Sequence, residues 1–421
     1  MFRFIHSADW QLGARFSQFG ARASQLREAR LTTLRRALDL ARQQAVDAFL
    51  IAGDLFEDNQ VDNALVTAVI DLFRERPDVP VYLLPGNHDP ASGPDSIWER
   101  PAFRNAPSHV RVLTTAQALD LGGGVHLLAA PLHQKLSTLD PSLKLRDLAA
   151  SLPSGTLKIG LTHGALAIEG KHQPNDFPIA LDAASRAGLD YLAIGHWHSW
   201  ISETDGGRIV MPGTPEPDRF DHERCGQVAL VELAGPGVPA KVVALPVATL
   251  TWESLSFDFL SADASRSSLE HAFNALRERA ATCVVRVTLK GNATPQGRRE
   301  TLAWLEGALA PFFVSQRIDR TALALSAPEL ADLQHRHPLL AQVLNDIDRM
   351  EVLATGSGSV SLPPLGEGTG VAAVAPPTAP LSLAEAQRLL DHSRTDLASL
   401  KTEDFVLLRQ VLLQTLQEVA P

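Results

Sequence analysis

The sequence predicts an α/β protein, because short apolar runs alternate with amphipathic stretches through its first half. FRFIH at 2–6 and DAFLIAG at 47–53 have the length and the apolar content of buried strands. Between these two runs, residues 24–44 place leucine and alanine side chains at helical spacing along one face. Strands interleaved with helices in this way build sheets that are covered by helices.

The same alternation continues along the chain. A second helix is predicted at 62–76, and further strands are predicted at 79–86, 125–130, 157–162 and 189–194. From 208 to 250 the pattern is strand throughout, with turn signals at Gly206-Gly207 and Gly235-Pro236-Gly237. We therefore assign residues 1–250 to one domain.

A smaller α+β domain is predicted at 251–326. CVVRVTLKG at 283–291 alternates as a half-buried strand, and the stretches at 265–280 and 297–311 have helical periodicity. A mainly helical segment is predicted to follow at 327–354.

The last part of the sequence changes composition twice. Residues 355–381 are rich in Gly, Pro, Ser and Ala, which is typical of a flexible linker. Residues 382–421 predict two amphipathic helices, the first with capping-box spacing between Ser382 and Glu385. Because such helices cannot bury their apolar faces alone, we expect them to dock on a partner, and folding back onto their own domain is the alternative.

Composition excludes several classes of protein. The formal net charge of −10 over 421 residues argues against coating nucleic acid by bulk electrostatics. It does not exclude a nucleic-acid enzyme whose site bound metal ions make positive. Cys225 and Cys283 lie far apart, so neither a disulfide framework nor a thiolate zinc site is indicated. No apolar run of about 18 residues is present to cross a membrane, and we expect a cytoplasmic protein.

Five short polar clusters carry the chemistry, and each directly follows an apolar strand. They are Asp9-Trp10-Gln11, Gly53-Asp54, Gly86-Asn87-His88-Asp89, His163-Gly164 and Gly195-His196-Trp197-His198. Ligands collect at the carboxyl ends of strands in an open α/β sheet, because successive loops converge there. The five clusters therefore predict one shared cleft.

These clusters supply a ligand set for divalent metal ions, made up of Asp9, Asp54, Asn87, His163, His196 and His198. Oxygen and nitrogen ligands without thiolate favour manganese or iron and also suit zinc. The set is too large for one ion, so we expect two ions about 3.5 to 4 Å apart, which share one carboxylate and activate a water. Alone, GNHD is typical of a capped turn and His163 of a structural histidine. Their common order and strand context favour the metal pair.

The motifs D-x-(H), GD, GNHD, HG and GHxH, in this order, resemble those of the calcineurin-like metallophosphoesterases. HSADWQLG, GDLFEDN and the later MPGTPEPDRF resemble the SbcD-type DNA repair exonucleases, which work with an SMC-like ATPase. The resemblance covers about residues 1–250 well. It implies a four-layer α/β/β/α metallophosphoesterase sandwich, a small α+β capping domain and C-terminal helices.

The resemblance also implies roles for individual residues. It assigns a first ion to Asp9, Gln11 and His198, a second ion to Asn87, His163 and His196, and a bridging position to Asp54. His88 would hydrogen-bond the scissile phosphate and donate a proton to the leaving oxygen. Asp89 would either orient the His88 ring or cap its own turn. Nearby, Glu57 is interpreted as a loop or cap group and His222 as structural.

Gln11 departs from the family pattern, which has a histidine at this position. A neutral amide is a weaker ligand than an imidazole, so the first ion should bind less tightly. On an extended segment Asp9 and Gln11 would face the same way, and the amide could reach a metal. Excess manganese could then fill the site, Gln11 could hold a metal-bound water, or only the second ion could bind. We favour the first two outcomes because every other ligand is present.

The predicted function is a metal-dependent DNA exonuclease that acts 3′ to 5′ in repair, with endonuclease action compatible with the same site. We expect two manganese ions, with iron or zinc as alternatives. The expected partners are DNA, an SMC-like ATPase bound by the C-terminal helices, and a second copy of the chain in a homodimer, with no membrane. The alternatives are a small-substrate phosphodiesterase of the same fold, or a nuclease-impaired DNA-binding protein in which Gln11 marks a lost site.

Overall fold

The computed structural model describes residues 1–93, 95–259 and 262–323, and single positions beyond them. The chain divides into two compact units. The first comprises Met1–Ser254, Arg279–Arg286 and Phe312–Ser315, and the second comprises Leu255–Glu278, Val287–Pro311 and Gln316–Pro421. The predicted domain boundaries stay predictions. Single positions aside, the helical segment at 327–354 lies outside the described residues, as do the linker at 355–381 and the helices at 382–421.

The first unit contains two mixed sheets. Their strands are β1 (Phe2–Ser7), β2 (Ala48–Ala52), β3 (Val81–Leu84), β4 (Val110–Val112), β5 (Gln117–Gly122), β6 (Val125–Ala130), β7 (Leu157–His163), β8 (Tyr191–Gly195), β9 (Ile201–Thr204), β10 (Ile209–Met211), β11 (Gln227–Leu233) and β12 (Lys241–Pro246). One sheet has the order β12-β11-β1-β2-β3-β4 and the other β5-β6-β7-β8-β10-β9. The strands β1 to β4 run parallel, as do β6, β7, β8 and β10, so their carboxyl ends meet at one edge of each sheet.

The helices of this unit are α1 (Ala23–Gln43), α2 (Asn63–Arg74), α3 (Pro101–Arg104), α4 (Ser142–Ala150) and α5 (Ala183–Ala187). The long helices α1 and α2 agree closely with the predicted stretches. At the start of α2, the Asp62 carboxylate caps the helix by accepting a 2.7 Å hydrogen bond from the Leu65 amide. The short helices α3, α4 and α5 were not predicted.

The two sheets pack face to face. Phe4 and Leu50 of one sheet and Leu161 and Ala193 of the other lie in a shared core. The outer face of the first sheet is covered by α1 and α2, and that of the second by α4 and α5. All five residues of β2 are buried, because such a strand is covered on both faces. The layers therefore run α/β/β/α, and the predicted fold class is confirmed.

A further, smaller sheet has the order β13-β14-β15, with β16 parallel to β14. Its strands are β13 (Thr251–Phe259), β14 (Cys283–Ala293), β15 (Val314–Asp319) and β16 (Ala322–Leu323), and the helices of the second unit are α6 (Ala262–Leu276) and α7 (Pro295–Leu309). The rings of Phe273 and Trp304 stack between the two helices, with centroids 6.2 Å apart. This part has the helix, strand, helix order that the sequence predicts.

Among the described residues, none of the helices has both the length and the apolar character needed to cross a membrane.

Candidate metal centre

The five polar clusters all lie where a strand of the first unit ends, and both sheets contribute. One sheet supplies Asp9 and Gln11 after β1, Asp54 after β2, and Asn87, His88 and Asp89 after β3; the other supplies His163 at the end of β7 and His196 and His198 after β8. Backbone hydrogen bonds join the first two loops, from the Asp9 amide to the Gly53 carbonyl at 3.2 Å and from the Gln11 amide to the Asp54 carbonyl at 2.9 Å.

Four of these residues have backbone conformations that side chains other than glycine rarely adopt. The φ angles are 54° at Asp9, 39° at Gln11, 55° at Asp54 and 142° at His196. The expectation that Asp9 and Gln11 lie on an extended segment is therefore wrong, because the chain turns at both positions. Such conformations cost roughly 1 to 3 kcal/mol each and gather at functional sites, where the surrounding structure enforces them.

Two glycines allow the loops to approach one another closely. A Cβ atom on Gly53, where φ is 89°, would lie 2.1 Å from the Nδ1 atom of His163. A Cβ atom on Gly86 would lie 2.1 Å from the Oδ1 atom of Asp54. Both distances are far below contact distance, so a side chain at either position would displace a candidate ligand.

The residues assigned to the second ion converge on one point. The Oδ1 atom of Asn87 lies 2.8 Å from His163 Nε2 and 3.2 Å from His196 Nδ1. The Asp54 Oδ2 atom lies 3.4 Å from the same His163 nitrogen. Adjacent ligands that each lie about 2.1 Å from an ion are about 3 Å apart, so this spacing suits a shared cation.

Hydrogen bonds to the backbone fix which nitrogen of His163 faces this point. Its Nδ1–H group donates to the Ala52 carbonyl at 2.8 Å, which leaves Nε2 toward Asn87 and Asp54. Burial alone would lower the pKa of His163, but the carboxylates of Asp54 and Asp9 raise it to about 9. Without a metal ion, a proton on Nε2 thus provides the positive charge that the cluster requires.

Only one of the two carboxylate oxygens of Asp9 has a hydrogen-bond partner among the described residues. Its Oδ2 atom accepts a 3.0 Å hydrogen bond from the His196 amide. Its Oδ1 atom is buried and has no hydrogen-bond partner among the described residues, an arrangement that costs free energy. Burial raises the pKa of Asp9, while the imidazoles of His163 and His198 oppose that change. Ligand atoms of Asp9, Asp54 and His163 lie within 4.8 Å of one another, so these residues fit a divalent ion.

Gln11 is buried beside this group, with its side chain uncommitted. The Gln11 carbonyl accepts a hydrogen bond from the Ala14 amide at 3.2 Å. No described residue hydrogen-bonds to its side-chain amide. The side-chain amide of Gln11 is therefore available to bind an ion weakly or to hold a metal-bound water.

His88 is held at the edge of the cleft by the backbone. Its own amide donates to Asp54 Oδ1 at 2.9 Å, and its Nδ1–H group donates to the Glu57 carbonyl, also at 2.9 Å. Asp89 instead accepts from the amides of Gly86 at 2.7 Å and Phe56 at 3.0 Å. Of the two roles considered for Asp89, capping its own turn matches these bonds. Burial, reinforced by the Asp54 charge, raises the pKa of Asp89 to about 7.

Sequence reasoning missed two residues that contact the candidate ligands, Asp176 and Asp218, and it interpreted a third, His222, as structural. Asp176 Oδ2 lies 2.8 Å from His196 Nε2, and Asp218 lies 3.3 Å from His198 Nδ1 and 2.9 Å from His222 Nδ1. No motif marks Asp176, which lies in a long loop between β7 and α5. A signal for the other two exists in the sequence: Asp218 and His222 lie four residues apart in and just after MPGTPEPDRF.

This arrangement of strand-end ligands on a four-layer sandwich defines a class. Residues 2–200 match the calcineurin-like phosphoesterase family. The chain therefore contains a calcineurin-like metallophosphoesterase domain, the catalytic unit of hydrolases that act on phosphoester bonds. The family resemblance of the sequence motifs is confirmed at this level.

Several known proteins are similar to the chain. The uncharacterized metallophosphoesterase YhaO of Bacillus subtilis is 23% identical over 83% of this chain and 88% of its own length. One component of the nuclease SbcCD of Rhodobacter capsulatus is 26% identical over 57% of this chain and 68% of its own length. The DNA double-strand break repair protein Mre11 of Methanopyrus kandleri is 28% identical over 52% of this chain and 49% of its own length.

Proposed function

We propose that the protein is a metal-dependent nuclease that hydrolyses phosphodiester bonds in DNA, as a 3′ to 5′ exonuclease that takes part in the processing of DNA ends. The observation that carries the proposal is the convergence of Asp54, Asn87, His163 and His196, with spacings of 2.8 to 3.4 Å that suit a shared divalent ion. The unpartnered Oδ1 atom of Asp9 supports a second ion nearby.

The chain's own residues have separate tasks in this reaction. Asp54, Asn87, His163 and His196 would hold one ion, and Asp9 and His198 would hold the other. When bound, the ions would polarise the phosphate and lower the pKa of a water molecule. Because the Nδ1–H group of His88 is committed to the Glu57 carbonyl, its Nε2 atom is the nitrogen left to pass a proton to the leaving oxygen.

DNA as the substrate is supported by two of the relatives. One is a component of a nuclease and another a DNA double-strand break repair protein, at 26% and 28% identity. The net charge of −10 means that positive surface must be concentrated locally. Arg15, Lys171 and Arg219 are exposed and lie in the loops that follow β1, β7 and β10, so we assign phosphate contacts to them.

The partners belong to the same proposal. The Rhodobacter capsulatus relative is one component of a complex, which supports a protein partner for this chain. We assign that partner to the class of SMC-like ATPases, bound through the helices predicted at 382–421, and we expect the chain to form a homodimer. A cytoplasmic location is part of the same proposal. Manganese is the proposed ion, because oxygen and nitrogen ligands without thiolate suit it.

A substrate comparison tests the proposal. The purified protein is incubated with linear duplex DNA labelled at the 3′ or the 5′ end, with a cyclic nucleotide and with a chromogenic phosphodiester, each with and without Mn²⁺. His88→Ala is the test variant, and His133→Ala, which alters an exposed histidine that is not a candidate ligand, is the matched control.

We expect Mn²⁺-dependent shortening of DNA from its 3′ end, lost in His88→Ala and retained in His133→Ala. Cleavage of the cyclic nucleotide without cleavage of DNA would refute the nuclease and favour a small-substrate phosphodiesterase. DNA binding without turnover of any substrate would favour a nuclease-impaired DNA-binding protein. Equal DNA cleavage by His88→Ala and the wild type would refute the role given to His88.

A further inference from the structure

His198, Asp218 and His222 form a compact group on one side of the cleft. The Asp218 carboxylate lies 3.3 Å from His198 Nδ1 and 2.9 Å from His222 Nδ1. The two imidazole rings are nearly perpendicular, with centroids 4.6 Å apart. The side chains of the three residues are only 12%, 9% and 17% exposed. One ligand atom from each residue lies within 4.8 Å of the others.

Hydrogen bonding explains the contact between His198 and Asp218 but not the position of His222 beside them. His198 Nδ1 has the geometry to donate to Asp218. The Nδ1 atom of His222 is buried and lies at hydrogen-bonding distance from the same carboxylate, yet its orientation does not form a hydrogen bond with any described residue. A cation shared by the imidazole nitrogen and the carboxylate oxygen would satisfy both atoms.

Two imidazoles and one carboxylate are also enough ligands to bind a divalent metal ion. Three protein ligands of these types hold zinc in catalytic sites and leave a fourth position open. The cation that competes for Asp218 is Arg30, whose guanidinium lies 3.7 Å from Asp218 Oδ2. That guanidinium is anchored elsewhere, by hydrogen bonds to the carbonyls of Trp10 at 2.9 Å and Glu216 at 3.1 Å. The carboxylate therefore keeps oxygen lone pairs available for a metal.

The backbone holds the group in place without a metal. Asp218 and His222 lie in the loop between β10 and β11, and this loop is tied to the His198 segment. The Thr214 amide donates to the His198 carbonyl at 3.1 Å, and the Trp200 amide donates to the Arg224 carbonyl at 3.2 Å. Between them, the Phe220 ring packs against Trp252, with centroids 4.7 Å apart.

We propose that His198, Asp218 and His222 bind one divalent transition-metal ion, and that Asp218 and His222 replace the imidazole that Gln11 lacks. The ion assigned to Asp9 and His198 would then take its remaining ligands from the β10–β11 loop instead of from Gln11. This inference rests on the metal-dependent function proposed above. Its test measures metal binding alone, so its failure can be distinguished from failure of the nuclease proposal.

The test is a Co²⁺ titration followed by visible absorption, with the metal content measured by mass spectrometry after dialysis against Co²⁺ or Zn²⁺. The variants are His222→Ala, Asp218→Asn and Asn87→Ala, with His133→Ala as the matched control. His222→Ala is the decisive variant. If Asp218 only orients His198 and no ion binds between them and His222, replacing His222 should not change metal binding. Thermal unfolding in EDTA checks that each variant folds, and His222→Gln, which retains a polar side chain, replaces any His222→Ala protein that does not.

We expect His222→Ala and Asp218→Asn to lose one equivalent of metal, or to bind it at least about tenfold more weakly, as for loss of a supporting ligand. The Co²⁺ absorption that they lose should persist in Asn87→Ala, which should lose the other equivalent. Metal binding by His222→Ala equal to that of His133→Ala would overturn the proposal. A loss confined to Asp218→Asn would overturn it as well, because Asp218 would then act through His198 alone.

Discussion

Replacing Asp176 should weaken metal binding although this residue is not a proposed ligand. Its Oδ2 atom lies 2.8 Å from His196 Nε2, while the Nδ1 atom of the same ring lies 3.2 Å from Asn87 Oδ1. The hydrogen bond from His196 lowers the pKa of Asp176, so its carboxylate is charged at neutral pH. This charge holds a proton on Nε2 and leaves the Nδ1 lone pair free to bind a metal.

The expected loss of metal affinity is smaller for Asp176→Asn than for Asp176→Ala. Asp176→Asn retains an acceptor oxygen but loses the charge, which exchanges a hydrogen bond of about 1.5 to 3 kcal/mol for one of about 0.5 to 1.5 kcal/mol. The difference of roughly 1 to 1.5 kcal/mol corresponds to about a five- to tenfold weaker affinity. Asp176→Ala also frees the ring to rotate, and the loss should reach about 10- to 100-fold.

Isothermal titration with Mn²⁺ measures these affinities, with electron paramagnetic resonance to count free Mn²⁺. Asp147→Asn is the matched control, since its side chain is 73% exposed and contacts only Arg146 among the described ion pairs. The control should bind Mn²⁺ most tightly, Asp176→Asn less tightly, and Asp176→Ala most weakly. An Asp176→Ala protein that binds Mn²⁺ as tightly as the control would refute the reasoning that a carboxylate orients His196.

Three further predictions concern the same centre. Gly86→Ala should lower both the thermal midpoint and the Mn²⁺ affinity, because its Cβ would lie 2.1 Å from Asp54 Oδ1; unchanged values in calorimetry and titration would contradict this. Gln11→His should tighten Mn²⁺ binding without abolishing hydrolysis, and unchanged metal occupancy would show that Gln11 is no ligand. Folding raises the pKa of His163 from 6.5 to about 9. In EDTA, the protonated ring should therefore stabilise the folded state fully below pH 6.5, and this contribution to the free energy of unfolding should be lost as the pH rises through about 9. Urea unfolding of metal-free protein that is equally stable at pH 6 and pH 9.5 would count against that assignment.

Much of the fold could be predicted from local pattern. The strands β1, β2 and β3 are buried on both faces and are therefore nearly continuous apolar runs, and α1 has one clear apolar face. The short helices α4 and α5 gave no comparable signal, because α5 has only five residues and neither helix has a side-chain cap. Packing onto the second sheet stabilises them, and packing of that kind is a tertiary effect.

The candidate site was predictable where a ligand directly follows a strand. His163 and His196 carry that signal, and the structure places both beside Asn87. Asp176 lies in a loop whose path depends on contacts distant in the sequence, so no local pattern could indicate that His196 is its neighbour. The turn at Gln11 was also missed, because its left-handed backbone follows from hydrogen bonding to the Asp54 loop and not from residue type.

The division of the centre between two sheets has a consequence during biosynthesis. A ribosome releases Asp9, Asp54 and Asn87 well before it releases His163 and His196, which belong to the other sheet. A nascent chain that has emerged only as far as β4 therefore lacks both imidazoles and has no enclosed place for the ions. Phosphoester hydrolysis would begin only when the two sheets have packed together, so an unfinished or half-folded chain would be inactive.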